Sequence, residues 1–403
     1  MTSSSIQPVQ HWKRSAQLLL ASQAISLIGS MLVQYAMMWH ITLETKSGVA
    51  MGIAMCCSFV PLIFVAGPAG VIADRYDRRI VMAVADASVA VSTLLIMLAF
   101  MFGFESLWLM YLVLALRTFG GGFQRPALNA LVAQFVPPKS LIRYNGISGT
   151  IQASSEILGP ALGGAVLAVA PITYIFAIDI VTAIIGIAML LIGVKVPRHK
   201  RLSQGESFLG EFKGGIRYLL GHKMLTRIII FYAILTFGAA GQMTLPDLRV
   251  ARMFNETWRL SMLGVAFGVG MAIGGLIVAA KALFKSAVTS CTVACIVLGV
   301  CTLTSGLSSN YWVIVAAMAI SGPSTAFFNA PAVSLIQEKT DNAQLGRVMS
   351  VFSMVAGIAV PLATMLLGFA SDIVASSTTL ICCGIFTLIA AVFMRADPVL
   401  RKY

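Results

Sequence analysis

Charge is scarce in this sequence: of 403 residues only 11% are Asp, Glu, Lys or Arg, while 58% are hydrophobic. A water-soluble domain carries about one-quarter charged residues, so water is excluded as the medium in which this chain folds. Histidine is scarcer still, with four in all, and none accompanies the seven cysteines, which fall in apolar runs without a CxxC spacing. That excludes a metal site of zinc-finger spacing and leaves the cysteines as small apolar packing residues. Also missing are a nucleophile beside a base and a glycine-rich phosphate loop, so neither an enzyme, a cofactor nor a nucleotide-driven pump is expected. The net charge of +13 comes from basic residues set between apolar runs, not from a basic patch on a polar domain, which argues against nucleic acid as a partner. No cleavable signal peptide is expected, because the first apolar run after Lys13 and Arg14 is too long for one.

What the sequence has in abundance is long apolar runs. A helix crossing a bilayer needs ~20 mainly apolar residues. Such runs predict spans at 16–43, 49–70, 80–102, 107–125, 143–169 and 172–194, then at 226–245, 260–280, 286–307, 311–336, 348–370 and 378–394. The fold class is therefore all-α integral membrane, with twelve transmembrane helices in two pseudo-symmetric six-helix bundles. Residues 1–195 form the N-terminal bundle, 196–224 a linker and 225–403 the C-terminal bundle. An even number of spans puts both termini on one side. Most of the 28 lysines and arginines lie in the segments on that side, which the positive-inside rule makes the cytoplasm. The linker is rich in basic residues, and Phe208, Phe212, Ile216 and Leu219 recur in it at helical spacing, as in an amphipathic helix on the inner membrane face; a flexible polar linker is the alternative. Phe123-Gln124-Arg125-Pro126-Ala127-Leu128 is echoed by Phe328-Asn329-Ala330-Pro331-Ala332-Val333, a weak sign of duplication. Duplicated halves usually place a substrate site near the bilayer midplane.

Ionisable residues within spans are costly and by default functional. Here they are Asp86, Arg117, Glu156 and Asp179. A rise of ~1.5 Å per residue puts Arg117 near the midplane, Glu156 and Asp179 at similar depth to one another, and Asp86 nearer the cytoplasm. Span 5 carries a polar stripe of Asn145, Ser148, Gln152, Ser155 and Glu156, and span 1 carries Gln23, Ser26, Ser30 and Gln34. Such stripes either bond to a neighbouring helix or line a water-filled cavity, and a carboxylate in line favours the cavity. In the C-terminal half the polar candidates are Gln242, Ser324, Thr325 and Asn329, beside Phe327 and Phe328. That uneven cavity suits a large amphipathic substrate better than a sugar.

Between spans 2 and 3, Gly70-Val71-Ile72-Ala73-Asp74-Arg75-Tyr76-Asp77-Arg78-Arg79 resembles the signature loop of the major facilitator superfamily, with Gly70, Asp74, Arg75, Arg78 and Arg79 as its gating residues. Asp77 stands where that family usually has a second glycine. Arg117 with Gly121 resembles the family's span 4 arginine motif, tied to proton coupling. Gly159-Pro160-Ala161-Leu162-Gly163-Gly164 resembles its span 5 antiporter motif, carried by Gly159, Pro160, Gly163 and Gly164. Gln23-Ala24-Ile25-Ser26-Leu27-Ile28, Arg125-Pro126-Ala127-Leu128-Asn129-Ala130, Ala177-Ile178-Asp179 and Leu345-Gly346-Arg347-Val348 resemble the macrolide-efflux permease branch.

The resemblance implies a proton-coupled antiporter that exports amphipathic, macrolide-like compounds from a bacterial cytoplasm, multi-pass in the plasma membrane and conferring antibiotic resistance. Glu156, Arg117 and Asp179 are its expected proton-coupling residues, with Asp179 ranked last because the family's sixth span is peripheral. It also implies that Asp74 approaches the start of span 11 near Gly346 and Arg347. Partners are then the substrate, protons and the lipid bilayer, and a monomer is expected. Alternatives are an exporter of a siderophore or lipid, a nutrient importer, and a transport-inactive membrane sensor of the same fold.

Overall fold

The computed structural model describes residues 12–194, 208–254, 256–280, 284, 286–341 and 344–402, and among them the secondary structure is helical without a strand. The chain divides into two compact units, one of residues 1–37 and 57–204, the other of 38–56 and 205–403. The second unit thus takes residues 38–56, which the expected boundary at 195 left with the first half.

The first unit is built on α1 (Trp12–Thr45), α2 (Gly48–Arg75), α3 (Arg78–Met101), α4 (Leu107–Gly121), α5 (Gln124–Phe135), α6 (Pro138–Val169) and α7 (Ile172–Ala188), which ends in a π turn at Met189–Gly193. The second holds α8 (Phe208–Gly221), α9 (Lys223–Phe254), α10 (Thr257–Ala280), α11 (Ala287–Leu307), α12 (Tyr311–Lys339), α13 (Leu345–Ile373) and α14 (Ser376–Ala396), with the last turns of α1 and the first turns of α2. Among the described residues ten helices are long and apolar enough to cross a membrane. Helices α4 and α6 complete the twelve spans: the first is short, and the second is diluted by Lys139, Arg143 and Glu156.

The expected fourth span, 107–125, is corrected. Helix α4 stops at Gly121 and a new helix starts at Gln124. Three glycines at 120–122 weaken the helix there, and Pro126, which has no N–H to donate, sits within the first turn of α5, where none is needed. The related segment in the second unit stays helical through Pro331, inside α12. Helix α8 occupies the place of the expected amphipathic linker helix. The side chains of Phe208 and Phe212, and residues 195–207, lie outside the described residues, whereas Leu219 is buried and Ile216 exposed. Tyr218 of α8 donates to Asp341 Oδ2 (2.8 Å), beside the start of α13.

Each unit has its own close-packed interior. Leu19, Met82, Leu131, Phe135 and Leu190 are central to the first, and Leu225, Leu335, Ile336, Val348 and Ala391 to the second. Lipid tails are as apolar as these side chains, so the interiors cohere by dispersion and by close helix approach, not by escape from water. The carbonyls at the end of α11 are satisfied from another helix: Arg249 of α9, buried, donates to Gly306 O (2.5 Å) and Ser308 O (2.8 Å).

Candidate functional site

The first unit holds a buried polar network to which five helices contribute. Arg117 on α4 pairs with Asp179 on α7, Nη1 to Oδ2 at 2.5 Å, with their side chains 5% and 1% exposed. Thr93 of α3 donates to the same carboxylate oxygen (2.8 Å) and contacts Arg117. Ser30 of α1 reaches Asp179 Oδ1 (3.4 Å), and its backbone carbonyl accepts from Arg117 Nη2 (3.3 Å). Along the same faces of α1 and α3, Asp86 accepts from Ser26 (3.3 Å) and from Gln124 of α5 (2.6 Å). Spacing explains the alignment: Ser26 and Ser30 are one helical turn apart, and Asp86 and Thr93 two turns apart.

This arrangement depends on α1 lying close to α7. A Cβ at Gly29 would stand 2.1 Å from Thr182 Oγ1 and 3.2 Å from Asp179 Cα, so any side chain there would have to displace Thr182 and press on the α7 backbone. Chemically, the network holds two carboxylates and one guanidinium away from water. An unbalanced charge there is expensive, which ties any change in protonation to a change in packing.

The expected site residues separate into groups. Ser26, 4% exposed, is corrected from cavity wall to network donor, and Ser30 turns towards Asp179 as well. Gln34 donates to Ser58 of α2 (2.9 Å), and Gln23 is half-buried. On α6, Asn145 is exposed while Ser148, Gln152 and Glu156 are half-exposed; Ser155 is buried and bonds back to Ile151 O. Glu156 accepts from Gln152 (3.1 Å) and makes no ion pair among the described residues. Arg117 is therefore joined to Asp179, not to Glu156.

In the second unit, Asn329 lines a cleft of about 500 Å³ with Met271, Thr325 and Val333. Phe327 lines another, of about 240 Å³, with Phe284 and Ser290. Two residues expected in the cavity are corrected to the interior. Gln242 is fully buried with its amide nitrogen against Met318 Sδ (3.5 Å), and Phe328 is 8% exposed and stacked on Tyr232 at 5.0 Å. Both face neighbouring helices because α9 packs on α12.

Sequence reasoning names Asp86 without a role and passes over Thr93 and Gln124. Thr93 is signalled by its seven-residue spacing from Asp86 on α3, whereas Gln124, on α5, shares no such spacing. The same reasoning also ends span 7 at residue 245, whereas α9 runs to Phe254 and brings Asp247, Arg249 and Arg252 into the helix.

A profile of the Major Facilitator Superfamily matches residues 19–361. The chain belongs to that superfamily. Macrolide efflux protein A of Streptococcus pyogenes is 29% identical over 388 residues, covering 93% of this chain and 95% of that one. The protein of the same name from Enterococcus faecalis is 30% identical over 322 residues, 77% of this chain and 99% of the other. Among solved structures, the nucleoside transporter NupG superposes with a TM-score of 0.72 at 14% identity, over 96% of this chain and 99% of that one. That likeness shows the fold alone. This superfamily member is a multi-pass membrane transporter and not an enzyme.

The superfamily's signature loop is held by its basic residues. Buried Arg78 donates to Ala73 O (3.2 Å), Ala130 O (2.8 Å) and Gln134 Oε1 (3.2 Å), tying α2, α3 and α5 together. Arg79 donates to Val194 O (2.9 Å), just beyond the π turn of α7, and to Asp77 (3.4 Å). Arg75 is exposed, and a Cβ at Gly70 would meet nothing within 4 Å. The side chain of Asp74 lies outside the described residues. Asp77 caps α3, accepting from Arg79 N (2.9 Å) with φ −61° and ψ 117°. That is ordinary β-region backbone, so the turn has no need of glycine.

Burial pushes the Asp77 carboxyl up, but hydrogen bonds from the Arg79 and Ile80 backbone and the Arg79 guanidinium outweigh it and hold the group below the usual carboxylate range. A depressed folded-state value means this stabilisation is present above the unfolded pKa and is lost as pH falls through the folded one. D77A is expected to lower stability by about 1 kcal/mol, while D77N keeps the cap and loses the acid-range pH dependence. Thermal unfolding in detergent as a function of pH checks both. Of the span 5 motif, Gly159 meets α1, where a Cβ would lie 2.9 Å from Met31 Cβ and 3.2 Å from Tyr35; Pro160, Gly163 and Gly164 are buried on the same helix.

Proposed function

We propose that this transporter is a proton-coupled antiporter that exports amphipathic small molecules, macrolide-like compounds among them, across the bacterial plasma membrane, with both termini cytoplasmic. The observation that carries the reading is the buried Arg117–Asp179 pair, set in a chain about 30% identical to macrolide efflux proteins over most of their length. An acid paired with the one cation of a dry network loses that pairing when it takes a proton, and the freed guanidinium must find new partners. Glu156 lies half-exposed on the polar face of α6 and has no cation partner among the described residues, which suits a carboxyl that meets both substrate and proton. In the proposed cycle a proton from outside neutralises Glu156, substrate leaves, and release of the proton inside resets the site. The Arg117–Asp179 pair responds to that change within the first unit. Asn329 and its cleft supply part of the substrate wall, and the two halves, 1–195 and 225–403, alternate in access.

Cells lacking their own efflux pumps and expressing the chain are expected to accumulate less radiolabelled macrolide and less fluorescent amphipathic amine, and a protonophore is expected to abolish the difference. E156Q, at equal surface expression, is expected to bring accumulation to that of cells without the transporter. Normal export by E156Q under a proton gradient would remove Glu156 from the cycle. Unchanged accumulation with the unaltered chain would refute the substrate class.

A further inference from the structure

Two acids belong to the buried network of the first unit, and only one of them is provided for as an anion. Both oxygens of Asp179 are served, Oδ1 by Ser30 and Oδ2 by Thr93 and the Arg117 guanidinium. Asp86, 6% exposed, is served at one oxygen alone. Ser26 Oγ (3.3 Å) and Gln124 Nε2 (2.6 Å) both donate to its Oδ1, while Oδ2 accepts no hydrogen bond among the described residues. An ionised carboxylate accepts at both oxygens, whereas the neutral acid accepts chiefly at its carbonyl oxygen and carries a hydrogen on the other. The surroundings of Asp86 match the neutral acid.

Charge balance points the same way. Arg117 is bound to Asp179 and to the Ser30 carbonyl. At the start of α3, Arg78 is taken up by Ala73 O, Ala130 O and Gln134, and Arg79 by Val194 O and Asp77. Arg125, beside Gln124 on α5, is exposed, as are Lys13 and Arg14 at one end of α1 and Glu44 at the other, one turn beyond half-buried His40; α4 and α7 carry no further charge. Among the described residues no cation pairs with Asp86, and a buried anion without one is expensive.

We infer that Asp86 is a second proton-carrying acid beside Glu156: it holds a proton while Arg117 is paired with Asp179, and gives it up when Asp179 takes one and the guanidinium is freed. One O–H bond forms at Asp179 as another breaks at Asp86, so the network keeps one anion and one cation before and after the exchange. Thr93, which bonds to Asp179, is two turns or ~10 Å along α3 from Asp86, so the two acids lie at different depths. In the orientation proposed above Asp86 is on the cytoplasmic side of Asp179, and the exchange carries a proton inward. The inference rests on the proposed proton coupling and names the residue of the network that releases the proton.

Its test reads protonation itself. A protonated carboxyl has a C=O stretch that a carboxylate lacks and that shifts in heavy water. In infrared spectra of the purified protein at neutral pH, D86N is expected to remove one such band; the asparagine oxygen can still accept from Ser26 and Gln124, which keeps the fold. D179N leaves Asp86 in place but takes away the anion paired with Arg117. It is expected to remove the same band, because the unpaired guanidinium then favours an anion at Asp86. The double variant D86N/D179N should lose no more than either alone. If D86N leaves the carboxyl bands unchanged, Asp86 is ionised; if D179N leaves the Asp86 band in place, its proton is not linked to the ion pair; either result would overturn the inference. These spectra need neither substrate nor gradient, so they decide the matter even if macrolides prove not to be exported. In cells that do export them, D86N is expected to bring accumulation to that of cells without the transporter, while the purified variant still binds radiolabelled macrolide with unchanged affinity. Export by D86N at the unaltered rate would overturn the inference as well.

Discussion

Replacing Arg117 with alanine is expected to abolish transport and to lower stability by about 3–5 kcal/mol, the usual cost of stranding one member of a buried ion pair. Among the described residues, Asp179 would be left 1% exposed with the Thr93 and Ser30 hydroxyls as its partners, and Asp86 would share the same interior without a cation. D179N is expected to cost less, because the amide oxygen can still accept from Arg117 while the guanidinium keeps the Ser30 carbonyl. The double variant R117A/D179N separates the two roles of the pair. With both charges of the pair gone the one buried carboxyl left is Asp86, which keeps its Ser26 and Gln124 donors, so thermal stability in detergent should recover most of what R117A lost, whereas transport should not recover. If transport returned together with stability, the pair would be scaffolding and proton coupling would have to be sought elsewhere.

Gly29 is the second position where a small change is expected to have a large effect. G29V places two methyl groups where α1 touches α7, against Thr182 Oγ1 and the Asp179 backbone. Those helices would separate, and with them Ser30, Asp179 and Arg117. The expected result is a chain that transports nothing and either unfolds at low temperature or fails to accumulate. G29A is milder, costing about 1–3 kcal/mol as an overpacked contact. Most of that should return in G29A/T182A, because the nearest obstacle is the Thr182 hydroxyl; the remaining contact, at 3.2 Å from the Asp179 backbone, needs only a slight shift. Equal stability of G29A and the unaltered chain would show that the two helices are less intimate than their geometry indicates.

The spans were legible because they depend on one property, apolarity sustained over a bilayer's thickness. Eleven of the predicted runs lie within single helices or their terminal turns, and the exception failed where three glycines break an apolar stretch at 120–122. The charged residues within the first half were legible by their rarity. What the sequence does not carry is helix rotation. Ser26 and Gln152 are both polar residues on striped helices, yet one is buried and serves Asp86 while the other stays half-exposed and bonds to Glu156 on its own helix. Stripe spacing is the same in both, and only the neighbours differ. Gln242 is the harder case: an amide in an apolar helix reads as a cavity residue, but α9 turns it against Met318. The cap that Asp372 of α13 gives the α2 N-terminus was invisible for another reason, since the acid and the helix N-terminus are separated by more than 300 residues of sequence.

The polar network also imposes an order on biogenesis. Helices enter the membrane as they are synthesised, and Asp86 arrives on α3 before any of its neighbour's charges exist. Helix α3 is apolar enough to insert despite it. Arg117 follows on α4, which at 15 residues is short for a span, and its ion-pair partner is still 62 residues from being made. Thr93 on α3 and the Ser30 carbonyl on α1 are already in place to receive the guanidinium, so α4 is best inserted against helices made before it. A nascent chain cut after α6 therefore exposes an unpaired arginine within the bilayer, a feature by which membrane quality control can tell an unfinished first unit from a complete one.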